Sequence, residues 1–297
     1  MKSGVVILYK EEGISSQSAV NRLKRILGAD KAGHTGTLDP LATGVLPILI
    51  GRGVKASEYL LSENKHYAAT LLLGITTDTE DITGTVLESS DNIPGEEAVA
   101  KAVESMLGES MQTPPMYSAI KIGGKKLYDL AREGKTIERE PRRITVYSIS
   151  YEKLSEKEYK LYVECSKGTY IRTLCADIGA KLGCGGVMKT LERTRAAGFT
   201  LDMAHTLSEI EKMSEKERES IVIPIEEIFK DKKSVKLSDF FGRLARCGVE
   251  IYQKKIGMAL PVGEMVTLYD KDGFFALAEV REFADGTALK PIKQFDV

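Results

Sequence analysis

Apolar positions in this 297-residue chain fall in short runs and short helical periods, not in long repeats. Val5-Val6-Ile7-Leu8 is a continuous apolar run that predicts a buried strand. Val20, Leu23, Ile26 and Leu27 recur at helical spacing and predict a helix from about Ser16 to Leu27. Val45 to Ile50 and Tyr67 to Leu73 read as two further strands, and Glu96 to Leu107 as an amphipathic helix. Lys125 to Arg132 reads as a short helix, Arg143 to Tyr151 and Tyr159 to Cys165 as neighbouring strands, and Tyr170 to Leu182 as a helix ended by Gly183. Strands and helices alternate without a clean βαβ repeat, which points to an α+β fold with a mixed, mainly antiparallel sheet and flanking helices.

The pattern changes near the end. Ser214 to Ser220 and the polar run Lys230-Asp231-Lys232-Lys233 read as a boundary, with a new unit starting near Val235. That unit has a helix at Asp239 to Cys247 and several short strands broken by Asp272-Gly273 and Asp285-Gly286 turns. A large domain over 1–232 and a small, mostly β domain over 233–297 are expected.

Composition narrows the class. An apolar fraction of 42% and a charged fraction of 29% fit a globular protein with a substantial core. No stretch is apolar for long enough to span a bilayer, and the N-terminus has no signal-type run, so a cytoplasmic protein without membrane association is expected. Cys165, Cys175, Cys184 and Cys247 form no C-x-x-C pair and the three histidines are scattered, so buried reduced thiols are expected, with no disulfide and no metal. The net charge is only -1, yet Lys121 to Arg143 holds eight Lys/Arg against four Asp/Glu. A local basic surface on a neutral protein suits a phosphate-bearing partner. Met116, Tyr117 and Tyr128 add stacking capacity to that stretch.

The densest candidate for chemistry is Gly33-His34-Thr35-Gly36-Thr37-Leu38-Asp39-Pro40-Leu41-Ala42-Thr43-Gly44-Val45-Leu46-Pro47. Its glycines allow close approach to the backbone, and Pro40 biases Asp39 toward extended geometry, so one carboxylate is presented in a loop that runs into a strand. An isolated aspartate before proline is usually a turn or cap residue. No phosphate-binding loop or dinucleotide fingerprint accompanies it, so no cofactor is expected.

This motif resembles the catalytic motif of the TruB family, tRNA pseudouridine synthases that act on uridine 55 of the T loop. Further matching blocks follow in order: Lys65-His66-Tyr67, Thr77-Asp78-Thr79-Glu80-Asp81, Pro114 to Ala119, Gly168 to Leu174 and Leu191-Glu192-Arg193-Thr194-Arg195. The resemblance implies a pseudouridine synthase fold, an RNA-clamping insertion at about 111–145, and a C-terminal module similar to a PUA domain. It implies that Asp39 is the catalytic nucleophile or base, Tyr67 the stacking residue that takes the C5 proton, and Arg172 the partner of Asp39. By the same resemblance His34 fills the space left by the flipped uridine, and Tyr170 and Leu191 line the base pocket. Phosphate contacts are expected from Lys10, Lys55, Lys121, Arg142 and Arg143. The chain departs from the family pattern at Glu11, where proline is usual, and at Gly53-Val54-Lys55, where Ala-Thr-Lys is usual.

The substrate implied is the T-stem loop of tRNA, with no obligatory protein partner; a monomer is expected because no apolar heptad is visible. Two other readings stand beside this one. The chain could be an RNA-binding or tRNA-folding protein without catalysis, or a hydrolase pairing Asp39 with Asp78 or Asp81 across a glycosidic bond.

Overall fold

The computed structural model describes residues 3–61, 64–118 and 120–295. The first segment runs β1 (Gly4–Lys10), α1 (Ser16–Ile26), β2 (Ala32–His34), β3 (Thr43–Ile50), α2 (Ser57–Leu61) and β4 (Lys65–Leu73). A small hairpin of β5 (Ile75–Thr77) and β6 (Val86–Ser89) follows, then α3 (Glu96–Glu104) and β7 (Gly108–Gln112). The basic stretch folds as a hairpin, β8 (Lys121–Ile122) and β9 (Lys125–Lys126), leading into α4 (Leu127–Arg132). Next come β10 (Arg142–Lys153), β11 (Glu158–Cys165), α5 (Ile171–Leu182) and β12 (Gly186–Ala196).

These strands form one sheet in the order β1-β3-β12-β4-β11-β10-β7. Every pairing along it is antiparallel except β3 with β12, which touch in parallel through only Glu192–Thr43 and Arg193–Gly44. At that junction Gly44 sits at a positive φ of 102°, and any Cβ there would collide with the Arg193 backbone. The sheet therefore splits beside β12 soon after joining, and the split leaves room for a site. Period-2 alternation sends Val6, Leu8, Leu46, Ile48, Ala69 and Leu71 to one face, where α1, α3 and α5 cover them. Gly179 of α5 lets the helix press against Gly186 of β12, a contact that a side chain would block.

Beyond β12 the chain makes β13 (Phe199–Thr200), α6 (Leu207–Lys212), α7 (Glu215–Ser220) and β14 (Ile223–Pro224), the last pairing with β1. Ser214 to Ser220, read from sequence as a boundary, is instead the helix α7. Ser214 and Glu217 build a reciprocal capping box there, a signal that the polarity of the stretch concealed. The strand β12 was also absent from the sequence reading, because its charged residues interrupt the apolar alternation.

The last unit is a five-stranded sheet of β15 (Lys233–Lys236), β16 (Ile251–Tyr252), β17 (Met265–Asp270), β18 (Gly273–Phe283) and β19 (Gly286–Gln294), with α8 (Asp239–Arg246) against it. Its hairpins turn at the two Asp-Gly sites. A second core joins it to the large sheet: Phe229, Phe295 and Leu277 pack with Val5, Ile7 and Val45. Phe274 and Phe295 stack at 5.5 Å between ring centroids. Of the cysteines, Cys165, Cys175 and Cys184 are buried, but Cys247 is exposed because it caps the C-terminus of α8.

Candidate active site

Asp39 lies in the loop between β2 and β3, at the split beside β12. Its Oδ2 accepts from Nε of Arg172 at 2.9 Å. Arg172 is in the first turn of α5 and only 5% of its side chain is exposed, against 36% for Asp39. The guanidinium also donates from Nη1 to the Thr79 carbonyl at 3.1 Å and from Nη2 to the Tyr117 carbonyl at 2.8 Å. The Asp81 carboxylate stands 3.8 Å from Nη1. Asp81 is itself held by the Thr79 hydroxyl at 2.8 Å, the Thr83 hydroxyl at 2.6 Å and the Thr83 amide at 3.0 Å. The structure thus makes Asp81 a second carboxylate neighbour of the arginine. Charge, short hydroxyl spacing and the turn chemistry of Thr79-Glu80-Asp81-Ile82-Thr83 were the sequence signals for it.

Burial of Asp39 raises its carboxyl above the usual aspartate range and the Asp81 charge adds to that, while Arg172 and, more weakly, Lys10 pull it back down. Tyr67, on β4, is almost fully buried. Burial pushes its phenol up, against the pull of Arg193 beside it. Arg193 sits opposite Tyr67 in the β12–β4 register and is 1% exposed. It donates from Nε to the Val45 carbonyl at 2.8 Å and from Nη2 to the Gly36 carbonyl at 3.2 Å, so it fastens the Asp39 loop to the sheet. The sequence reading placed Arg193 in a matching block and gave it no task; its function is legible only once β12 brings it under the loop.

His34 ends β2 and its Nδ1 accepts from the Gly36 amide at 3.3 Å; burial, and then Arg193, lower its pKa and keep the ring neutral. Tyr170 immediately precedes α5, and its backbone is clamped on both sides by Gln112, at 3.0 and 2.8 Å. Leu191 is buried in β12, two residues before Arg193. A cavity of about 440 Å³ opens beside Leu191, lined also by Leu41, Thr43, Ala68, Ile82 and Lys160 among others. That volume is in the range of small-molecule sites.

One of the expected phosphate contacts is placed elsewhere. Lys10 is fully buried and spends its ammonium on the carbonyls of Ala42 at 2.6 Å, Glu11 at 2.9 Å and Pro40 at 3.3 Å. All three of its donors are satisfied by the loop around Asp39, so it braces that loop and does not reach RNA. Lys55 donates to the Gln294 carbonyl at 2.8 Å, tying the large sheet to the C-terminal unit. Lys121, Arg142 and Arg143 are exposed, at the two ends of the basic stretch. Arg143 pairs loosely with Glu109 at 3.5 Å.

Comparison with known proteins places this geometry. Residues 24–171 match the N-terminal domain model of the TruB family pseudouridylate synthases, and residues 172–230 match the C-terminal domain model of tRNA pseudouridylate synthase B. The tRNA pseudouridine synthase B of Clostridium tetani (strain Massachusetts / E88) is 41% identical over 93% of this chain and 95% of its own length. The chain belongs to the TruB family. The Clostridium novyi (strain NT) enzyme of the same name is 43% identical over 92% of this chain and 93% of its own. Among solved structures, a chain from a Cbf5-Nop10-Gar1 complex matches 99% of this TruB-family chain and 85% of its own length, with a TM-score of 0.72 at 25% identity. The α+β architecture with its C-terminal β domain is thus that of the pseudouridine synthases. Among the described residues no helix is long and apolar enough to cross a membrane.

Proposed function

We propose that this protein isomerises uridine to pseudouridine at position 55 in the T loop of tRNA. The observation that carries the reading is the Asp39–Arg172 pair at 2.9 Å in a TruB-family chain. A uridine in a folded loop must leave its stack to reach Asp39. Arg172 keeps Asp39 ionised against its burial, so the carboxylate is available as nucleophile toward the sugar or as base toward a sugar proton. The bond from N1 to the ribose breaks, the base turns, and C5 forms the new bond; nothing is oxidised or reduced. The C5 proton must then leave. Burial holds Tyr67 as a phenol in the resting enzyme, so its oxygen takes the C5 proton as the phenolic proton passes to solvent water, which leaves the phenol restored beside Arg193.

His34 would support the loop vacated by the flipped base, and Tyr170 would contact the base itself. The exposed Lys121, Arg142 and Arg143 would meet phosphates, with the stretch at about 111–145 as the RNA clamp. The unit over 233–297, whose five-stranded sheet suits a PUA-like module, would add RNA contacts. The enzyme would work as a cytoplasmic monomer without cofactor or metal.

The test is an unmodified T-stem-loop RNA carrying tritium at uridine C5, incubated with wild type and with Asp39→Ala. Tritium release and pseudouridine formation by wild type, both lost in Asp39→Ala with RNA binding retained, support the isomerase. Tight binding without either signal from wild type sinks it and favours an RNA-binding or folding role. Release of free uracil would favour the hydrolase.

A further inference from the structure

The turn between β5 and β6 grips the start of α5 at three consecutive residues. The Thr79 carbonyl and the Asp81 carboxylate face Arg172, while Glu80 between them turns toward Thr173 and accepts its hydroxyl at 2.5 Å. Glu80 has a φ of 63°, one of two residues other than glycine with positive φ among those described. That backbone geometry is disfavoured for a side chain with a Cβ, and it is the geometry that swings this carboxylate inward. The Glu80 amide and carbonyl are both engaged, to Thr77 at 3.3 Å and from Met188 at 3.1 Å, so the turn cannot relax without breaking from the sheet.

Helix α5 needs what Glu80 offers. Its N-cap is Tyr170, which supplies no side-chain cap, and its first turn contains no acidic residue. A carboxylate tied to Thr173 puts negative charge where the helix dipole is positive, one residue from Arg172. Burial holds Glu80 above the usual carboxyl range; the Thr173 hydroxyl and the charges of Arg172 and, more weakly, Arg139 oppose that, while Asp177 adds to it. Arg139 belongs to the basic stretch, donates to the Pro114 carbonyl at 3.1 Å, and has a buried Nε with no hydrogen-bond partner. Tyr117, whose carbonyl takes the second Arg172 nitrogen, lies in the same stretch.

We infer that Glu80 is a positioning residue for Arg172: by holding Thr173, it fixes the first turn of α5 and so the angle at which the guanidinium meets Asp39. Thr79, Tyr117 and Asp81 constrain one end of the guanidinium, and Glu80 constrains the backbone that carries it. This rests on the isomerase reading, in which the Asp39–Arg172 geometry sets the chemical step.

Glu80→Gly is the informative variant, because glycine adopts a φ of 63° without strain while the side chain and its carboxylate are removed. If Glu80 merely shapes the turn, Glu80→Gly keeps the wild-type rate. We expect instead a fall of about tenfold or more in single-turnover rate at saturating RNA, with RNA Kd within about twofold and Tm unchanged or higher. Thr173→Val should reproduce the loss, and the double variant should be no slower than the slower single one, because both act through one contact. A second readout is independent of turnover: the ¹⁵N resonance of Arg172 Nε, identified by its loss in Arg172→Lys, should shift or broaden in both variants. A wild-type rate with an unmoved Arg172 signal in Glu80→Gly overturns the inference, as does a weakened Kd with an unchanged rate. Failure of wild type itself to form pseudouridine would count against the isomerase reading, and the Arg172 resonance would still decide the positioning role.

Discussion

Arg172 and Arg142 are separated by 30 positions and by everything that decides what an arginine does. Arg172 is buried and shares its guanidinium among one carboxylate and two backbone carbonyls, with a second carboxylate close by. Arg142 opens β10 exposed to solvent, at the edge of a basic stretch. A buried guanidinium with fixed partners sets geometry and holds a neighbouring carboxylate charged. An exposed one contributes reach and a field that salt screens. Arg193 and Lys10 belong with Arg172 as cations withdrawn from solvent: those two brace the Asp39 loop through its carbonyls, and Arg172 meets the Asp39 carboxylate itself. The solvent-exposed charges and the loop-bracing charges are chemically alike in the sequence and physically opposite in the structure.

Substitutions should separate the two groups by size of effect and by which constant moves. Arg172→Met should have the largest effect, a loss of about 10³-fold or more in single-turnover rate, or roughly 4 kcal/mol at about 1.4 kcal/mol per tenfold, with RNA still bound. A rate within tenfold of wild type would show that the ion pair is dispensable. Tyr67→Phe comes next. It keeps the ring and loses the hydroxyl, so tritium release should slow by about 10²-fold, the lower end of what general acid–base groups contribute, while RNA binding persists. Equal binding and equal rate would remove Tyr67 from proton transfer.

Smaller effects should appear in the pH dependence. Asp39 must be ionised, and its pKa is raised chiefly by burial, so the single-turnover rate should fall with acid around a midpoint above the ordinary aspartate value of 3.8. Arg172→Lys should move that midpoint upward. For Lys10, burial lowers the pKa from 10.5 to about 8, so the unfolded chain binds more protons than the folded one between those values. The sign follows: folding stability gains from Lys10 as pH rises from about 8 toward 10.5, and the gain is absent below 8. Wild type should therefore gain stability relative to Lys10→Met across that window in urea titrations, and parallel curves would refute the burial. Arg142→Ala and Arg143→Ala should do least. Each should reduce the slope of log Kd against log salt by about 0.7–0.9 and leave the rate at saturation unchanged. Arg143 should have the weaker effect of the two because Glu109 already partners it.

Much of the fold was legible because local periodicity carried it. The strands at Gly4–Lys10, Thr43–Ile50 and Lys65–Leu73, and the helices starting at Ser16, Glu96 and Ile171, are where alternation and helical spacing placed them, within a few residues. β12 was not, since a strand that carries Lys189, Glu192, Arg193 and Arg195 does not read as buried until its neighbours β3 and β4 are known. The helix at Glu215–Ser220 was missed for a related reason: capping and charge, not apolar spacing, hold it.

The site divides in the same way. Asp39, Tyr67 and Arg172 stood in motifs dense enough to name a family from residues alone, because the chemistry demands particular groups at particular places in the chain. What each cation does could not be read that way. Lys10 looked like a phosphate contact, yet it is enclosed by Pro40, Glu11 and Ala42, and the exposed Lys55 also donates to Gln294. Glu80 and Arg193 lay in blocks that match the family, but nothing in the residues themselves said what either charge meets. Sequence by itself determined which chemical groups the protein has and the local geometry they favour, since propensity and turn chemistry act over a few residues. Tertiary structure alone decided which of those charges leave water and what they meet there, because desolvation and hydrogen-bond partners depend on segments far apart in the chain.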